Sequence, residues 1–278
     1  MFFFRMLSFL PLPALYLITD LVYLIARFVV GYRKKVIDEN LLFAFPEKSQ
    51  KERKKIRNRF YRNFTDSIAE TIKLLTISDA ELKKRFVLID NHLPEMIVNS
   101  GHSAVMTAGH LFNWEMAIQA IAQQSGVTTE TVYLKLNNRF FNELMLKIRV
   151  RFGGVFTEKN EFRKKMLSLK SHPRIIQLAS DQRPPVSQKK YKREFMNRPA
   201  LFFEGAEVLA KKMGVPVYFG RITKVKRGHF YLEFFNIAKP PYENAPPHHI
   251  TDAFCEKLEE NIRNQPDLYL WSHKRWKV

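Results

Sequence analysis

SAVMTAGHLFNWEMAIQAIAQQ, residues 103–124, is the stretch that decides the fold class of this chain. Its first seven residues form a short, mostly apolar run, as in a buried β-strand. The part from Asn113 to about Gln124 is typical of a helix. Gly109 and His110 lie where the two meet. A strand that turns directly into a helix is the repeating unit of layered α/β proteins. The stretch therefore predicts one such unit, with polar residues at the carboxyl end of its strand.

The same alternation of strands and helices continues along the chain. Short apolar runs bounded by turn residues predict further strands, and longer amphipathic runs predict helices. We expect the additional strands at 128–136, 174–180, 215–222 and 229–237, and the additional helices at 47–75, 139–152, 204–213 and 251–264. The pattern favours an α/β fold with a mixed central sheet flanked by helices.

The composition limits the classes of protein to consider. A chain of 278 residues can bury one large core, and 46% hydrophobic content excludes general disorder. The 46 Lys and Arg outnumber the 27 Asp and Glu, which gives a net charge of +19 and a surface that attracts nucleic acid, anionic membrane or phosphorylated substrates. The single cysteine, Cys255, excludes an internal disulfide and indicates a reducing compartment.

The N-terminal residues 1–31 are strongly apolar. The uncharged run from Met6 to Thr19 is too short to cross a bilayer, and extension to Val30 gives sufficient length but includes two charged side chains. A cleavage site is not evident, and the cations of GYRKK (31–35) are typical of a cytoplasmic flank. We predict a retained membrane helix, either spanning or interfacial, followed by one domain over 32–278; the alternative is a buried helix of a soluble protein.

GHLFNWE, residues 109–115, carries the candidate chemistry. It follows directly after a predicted strand, and sites in open α/β sheets form at such carboxyl ends. His110 and Glu115 could meet across the strand-to-helix turn, where a carboxylate would fix the imidazole tautomer and stabilise its charged form. The imidazole could then accept a proton from a hydroxyl. The spacing alone is weak evidence, because such pairs occur by chance.

Several motifs in order resemble one family. HLFNWE, SDQ at 180–182, FFEGAE at 202–207, GVPV at 214–217 and LYLWSHKRWK at 268–277 resemble the lipid A late acyltransferases, which belong to the lysophospholipid and glycerolipid acyltransferase group. PALYLITD at 13–20 and the segment 31–53 extend the resemblance over nearly the whole chain. The Lys-Arg-Gly turn at 226–228 and the Trp-Ser-His-Lys-Arg-Trp segment at 271–276 are similar to the branch from Bacteroidetes-type bacteria.

The resemblance implies a reaction and its components. An acyl chain would pass from acyl carrier protein, or from acyl-CoA, to a hydroxyl of a lipid A precursor, without metal or bound cofactor. His110 would be the general base and Glu115 its partner, and the acceptor hydroxyl would attack the thioester directly. The expected location is the inner membrane, with the catalytic domain on the cytoplasmic side. Another membrane lipid, such as an aminolipid or a lysophospholipid, is the alternative acceptor.

The resemblance also gives candidate substrate-binding residues. Arginine suits phosphate because its guanidinium is permanently charged and bidentate. Arg149 matches an arginine of the family and Arg151 lies beside it, whereas Asp181 and Gln182 follow a predicted strand and would orient the substrate or brace the His110 loop. Asn113 lies inside the central motif. The alternative for each is a structural role.

The phosphate-binding motif of the glycerolipid enzymes is degraded in this chain. FFEGAE keeps Glu204 and Gly205 but has no arginine, so phosphate binding there is not favoured. His248 and His249 have no acidic or cysteine partners nearby in the sequence, which makes a metal site improbable.

Three other classes of protein remain to be weighed. A nucleic-acid-binding protein would fit the charge, but no known module is evident and the apolar segment 1–31 has no role in it. A membrane scaffold has no need of polar motifs at strand ends. An acyl-ester hydrolase would differ only in its acceptor, and the G-x-S-x-G motif of serine hydrolases is absent from the sequence.

Overall fold

The computed structural model describes residues 1–89, 92–166, 172–184 and 190–276. Within these residues, seven strands form a mixed sheet in the order β1-β9-β8-β2-β5-β3-β4. Their bounds are Phe86–Leu88 (β1), Ala104–Ala108 (β2), Thr129–Tyr133 (β3), Val155–Glu158 (β4), Ile175–Ala179 (β5), Val217–Lys226 (β8) and His229–Ala238 (β9). Strands β8, β2, β5, β3 and β4 are parallel, β9 is antiparallel to β8, and β1 is parallel to β9. The predicted mixed sheet is confirmed.

Helices flank this sheet, as predicted. Their bounds are Phe2–Phe9 (α1), Leu12–Leu24 (α2), Lys34–Ala44 (α3), Gln50–Lys73 (α4), Asp79–Arg85 (α5), His92–Ser100 (α6), Trp114–Gln124 (α7), Arg139–Arg149 (α8), Lys159–Lys165 (α9), Gly205–Met213 (α10) and His249–Asn264 (α11). A π-helical turn, Ile25–Val29, extends α2. Successive residues of β2 point to opposite faces, so that Val105 joins the core under α10 while Ala104 and Met106 join the larger core that includes α7.

A separate two-stranded hairpin was not predicted. It consists of β6 (Tyr191–Phe195) and β7 (Arg198–Phe202), which pair antiparallel. The sequence of β6, YKREF, is dominated by charge, which hid its strand character. The strand predicted at 128–136 ends at Tyr133, and the residues after it leave the sheet.

In helix α4, apolar residues recur every four positions, at 56, 60, 64, 68 and 72, a repeat that indicates one buried face. Ile56 and Phe60 are buried, as the apolar repeat requires, but Ile68 is exposed, and Asp66 and Glu70 are buried instead. A repeat of four residues advances about 40° beyond a full turn at each step, because the α-helix has 3.6 residues per turn. The apolar stripe therefore rotates away from the core, and polar residues take its place there.

The N-terminal helices pack against α4. Leu12, Leu15, Tyr16, Thr19 and Tyr23 form the buried face of α2. The opposite face leaves apolar side chains exposed, namely Leu17, Ile18, Leu21, Val22 and Leu24, with Ile25, Phe28 and Val29 beyond it. The stretch Leu12–Val29 has the length and mean hydropathy, 1.7, of a candidate membrane span. A boundary at residue 31 stays a prediction, and α2 shares its packing with the domain that follows.

Candidate active site

A cavity opens at the carboxyl ends of β2, β5 and β3. Its volume is about 320 Å³, and apolar side chains form most of its wall. Its lining also includes polar groups, among them His110, Arg149 and Gln182. Three of the predicted site residues therefore reach one cavity, at the edge of the sheet where the sequence predicted a site. The apolar part of the lining includes Met106, Ala117, Ile118, Ile121, Leu134, Leu136, Leu178, Phe203 and Leu232.

His110 is held by Asp181 at two points. Its backbone N–H donates to Asp181 Oδ2 at 2.9 Å, and its Nδ1 lies 2.5 Å from Asp181 Oδ1. The parallel pairing of β2 with β5 brings the ends of these strands side by side. The His110 side chain stays 19% exposed while Asp181 is only 2% exposed, so the imidazole reaches the cavity and the carboxylate lies behind it. Asp181 thus orients the ring, with Nε2 3.3 Å from Gln182 Nε2.

Glu115 is hydrogen-bonded to Arg149 rather than to His110. Its carboxylate accepts hydrogen bonds from Arg149, whose Nε lies 2.9 Å from Oε2 and whose Nη2 contacts Oε1, and from Trp114 Nε1 at 3.1 Å. In the structure Asp181 is the hydrogen-bond partner of the imidazole and Glu115 is the partner of Arg149, so no hydrogen bond joins the predicted pair. A catalytic role for Glu115 stays a prediction, and in this geometry it would act through its charge and through Arg149.

The electrostatics of the site favour a protonated imidazole. Burial lowers the pKa of His110, but the carboxylates of Asp181 and Glu115 outweigh this effect, so that its pKa is raised. For Asp181, burial raises the pKa, whereas His110 and Arg275 lower it by more, and its pKa is lowered overall. The pair can therefore stabilise a proton that His110 receives from a substrate.

The turn that carries His110, residues 109–113, is fixed by hydrogen bonds to the C-terminal segment. Phe112 N–H donates to the Leu268 carbonyl at 3.0 Å, and Leu270 N–H donates to the His110 carbonyl at 3.1 Å. Glycine fits at position 109 because a Cβ atom there would overlap with the side chain of Leu258. Residues 268–270 of the LYLWSHKRWK motif thus lie directly behind the site.

Two further residues of that segment were missed by sequence reasoning. Arg275 is buried, stacks 4.1 Å from the centre of the Phe202 ring and donates to the Leu201 carbonyl at 2.6 Å. Arg275 and the buried Tyr269 both interact electrostatically with Asp181. The signal that could have found them is a strongly basic and aromatic motif at the chain end whose polar groups had no assigned role.

Asn113 and Arg151 lie outside the cavity lining. Asn113 is buried; its Oδ1 accepts from Met116 N–H at 3.1 Å, which caps α7, and its Nδ2 donates to Glu70 at 2.9 Å. Arg151 donates to the carbonyl of Leu74 at 2.7 Å and to that of Ile77. These contacts give both residues a structural role, and the substrate contacts predicted for them stay predictions. Substrate contacts by Arg149 and Gln182 stay predictions.

The FFEGAE segment ties helices together. Glu207 accepts from the hydroxyl of Thr251 at 2.8 Å and from Lys211 at 2.7 Å, which joins α10 to α11. Glu204 pairs with His248 at 2.7 Å. Of the residues that the structure describes, no three His, Cys, Asp or Glu side chains group as metal ligands. Cys255 is buried in α11, where desolvation raises its thiol pKa, so it does not resemble a nucleophile.

Comparison with known proteins agrees with these features. A family described as bacterial lipid A biosynthesis acyltransferase matches residues 1–278. The chain is 24% identical over 276 residues to the lipid A biosynthesis palmitoleoyltransferase of Escherichia coli (strain K12), an alignment that covers 97% of this chain and 87% of that protein. The lipid A biosynthesis acyltransferase of Shigella flexneri matches with the same identity and coverage. The resemblance noted in the sequence is confirmed, while the Bacteroidetes-type branch stays a prediction. This chain belongs to the bacterial lipid A biosynthesis acyltransferases, and it is an acyltransferase.

Proposed function

We propose that the enzyme transfers a fatty acyl chain from acyl carrier protein to a hydroxyl of a lipid A precursor, with His110 as general base. The observation that carries this proposal is the His110–Asp181 pair at an apolar cavity of about 320 Å³. A base beside an apolar cavity suits a reaction between a polar hydroxyl and a fatty acyl thioester. Family membership supports the substrate class.

The chemistry follows from the orientation of the imidazole. With its Nδ1–H directed at Asp181, His110 presents the lone pair of Nε2 to the cavity. Nε2 takes the proton of the acceptor hydroxyl while the oxygen forms a bond to the thioester carbonyl carbon. When the resulting tetrahedral intermediate collapses, the C–S bond breaks, and the departing thiolate takes the proton from the imidazolium. Asp181 stabilises that imidazolium between the two steps.

Arg149 is proposed to stabilise negative charge in the cavity. Two of its five N–H groups are used by Glu115, and the others remain available to a ligand. Its guanidinium lines the cavity together with His110, where it could neutralise either the oxyanion of the intermediate or an acceptor phosphate. Glu115 would fix the guanidinium and add a second negative charge near the imidazolium.

The proposed location is the cytoplasmic face of the inner membrane, with α1 and α2 lying in the membrane interface. The exposed apolar face of α2 is continued by Phe2, Phe3, Met6 and Phe9 of α1. Phe4 contacts Phe140 and Phe141 of α8, and the exposed Leu134 and Leu136 line the cavity itself. An interfacial position fits better than a spanning one, because the other face of α2 packs on the helix that carries Asp66 and Glu70.

Mass spectrometry of membrane lipids tests the substrate class. A strain that lacks the enzyme is expected to accumulate a lipid A species short of one acyl chain, and complementation with the wild-type chain should restore it. The His110→Ala variant should fail to restore it, because general bases contribute roughly 10²–10⁴-fold to such rates. Intact lipid A together with a missing acyl chain on an aminolipid or phospholipid would instead support the alternative acceptor.

A further inference from the structure

Glu70 is buried between helix α2 and the turn that carries His110. Its side chain is about 1% exposed. Oε1 accepts a hydrogen bond from the Tyr16 hydroxyl of α2 at 2.8 Å, and Oε2 accepts one from Asn113 Nδ2 at 2.9 Å. A carboxyl group removed from water costs free energy unless donors replace the lost hydration. Both of its oxygens are therefore committed to joining two distant parts of the chain.

Asn113 carries this contact to the residues of the site. Its other end caps α7, and the next two residues are Trp114 and Glu115. The Trp114 ring lies 5.1 Å from the His110 ring in an edge-to-face arrangement, and Glu115 holds Arg149. The position of Asn113 thus sets where α7 begins, and with it the side chains on one wall of the cavity.

We propose that Tyr16, Glu70 and Asn113 form a positioning link, through which the membrane-contacting helix α2 holds Trp114 and Glu115 in their catalytic geometry. The inference rests on the proposed function of the His110 site. None of the three residues lines the cavity, so they act on turnover through Trp114 and Glu115. The N-terminal segment is then part of the catalytic structure as well as a membrane anchor.

The surroundings of Glu70 make the link a defined structural unit. Asp66 lies on the same helix, and Lys224 of β8 approaches from the sheet, donating to Asn63 at 2.6 Å. Arg227, in the turn between β8 and β9, bridges Asp66 and Asp20 of α2. Helix α2 is therefore fixed by polar contacts at a second point, so removal of the Tyr16 hydroxyl leaves the helix attached while it breaks the link.

Tyr16→Phe is the primary test, with Tyr23→Phe as the matched control. Both residues are buried on α2, but the Tyr23 hydroxyl contacts Arg27 rather than Glu70. Loss of one hydrogen bond to a charged group predicts that kcat falls roughly 10-fold in Tyr16→Phe. KM for the acyl donor and binding to vesicles of anionic phospholipid should stay at the control values. Equal kcat in the two variants, or a fall in kcat matched by a fall in vesicle binding, would overturn the proposal.

Two substitutions at Glu70 add a rescue test. Glu70→Ala removes both acceptors and should lower kcat at least as much as Tyr16→Phe does. Glu70→Gln should recover most of the activity, because its carbonyl can accept from Asn113 while its amide faces the Tyr16 hydroxyl oxygen. Should Glu70→Ala fail to fold, as judged by circular dichroism, Tyr16→Phe still decides.

A parallel assay of His110→Ala separates the link from the proposed function. Full activity in the Tyr16 and Glu70 variants, with none in His110→Ala, rejects the link and keeps the base. Substantial activity in His110→Ala rejects the base, whereas a kcat loss in Tyr16→Phe alone would still support the link.

Discussion

The Asp181→Asn variant distinguishes the role of Asp181 from that of Glu115, the other carboxylate near His110. Asp181 contacts the Nδ1 atom at 2.5 Å and the backbone N–H at 2.9 Å, whereas Glu115 is bound to Arg149. An asparagine can still accept from the backbone N–H, but its amide then faces Nδ1 as a donor. The ring would carry its proton on Nε2, the atom that must accept the substrate proton. A wrong tautomer of this kind predicts a loss in kcat of roughly 10²–10⁴-fold.

The pH dependence of the same variant gives an independent measure. The carboxylate raises the pKa of His110, so its removal should lower that pKa. The base is active when neutral, and the acidic limb of kcat/KM should therefore move to lower pH in Asp181→Asn. Acyl transfer to a lipid acceptor in mixed micelles, followed from about pH 5 to about pH 9, would measure both quantities across the titration of the imidazole.

Glu115→Gln is the control for this experiment. It removes a charge that contacts Arg149 and reaches His110 only through space, so the acidic limb should move less than in Asp181→Asn. Wild-type turnover in Asp181→Asn, or a limb that moves only in Glu115→Gln, would refute the reasoning. The partner role would then return to Glu115.

Further predictions concern charge, stability and membrane contact. Arg149→Lys should lower turnover or raise the acceptor KM, because lysine cannot reproduce the two-point contact with Glu115; steady-state kinetics that match the wild type would remove Arg149 from the site. Burial raises the pKa of Glu70 from 4.5 to about 7, so the folded state binds this proton more tightly than the unfolded state does. The free energy of unfolding should therefore fall by roughly 3 kcal/mol as pH rises from about 4.5 to about 7. Urea unfolding should show this pH dependence in the wild type and not in Glu70→Gln, and the same dependence of stability on pH in both proteins would contradict the prediction. Leu21→Asp and Phe28→Asp, on the exposed face of the N-terminal segment, should weaken vesicle binding without lowering thermal stability, whereas unchanged binding would place the membrane contact elsewhere.

The fold could be predicted from the sequence where local signals agree. The strand, turn and helix of residues 103–124 appear as β2 and α7, since apolar runs and turn residues are local properties of the chain. The hairpin β6–β7 was missed because the consecutive charged residues of β6 are typical of a loop. The four-residue apolar repeat of α4 indicates one continuous apolar face, but the burial of Asp66 and Glu70 depends on α2 packing beside it. Tertiary contacts of that kind leave no local pattern.

For the site, as for the fold, the sequence allowed predictions only where the signal lies within a short stretch of the chain. His110 was identifiable because it follows a strand, whereas its hydrogen-bond partner is not the nearest acid in sequence. Asp181 lies 71 residues further along the chain and reaches His110 because β2 and β5 are neighbours in the sheet. Strand order is not encoded in the periodicity of either strand. A residue that follows a second strand is therefore as good a candidate for the partner as one that follows the first.

His110 and Asp181 both depend on segments near the ends of the chain. Leu270 N–H holds the carbonyl of His110, and Arg275 lowers the pKa of the Asp181 carboxyl from within the same C-terminal segment. That segment is itself fastened to α3, where Asn40 donates to the carbonyl of Trp271 at 2.8 Å and Arg33 donates to the neighbouring Ser272 carbonyl. Because α3 directly follows the segment proposed to contact the membrane, displacement of the N-terminal helices would disturb the site from two directions. Seating of those helices on the membrane surface would accordingly affect turnover as well as location.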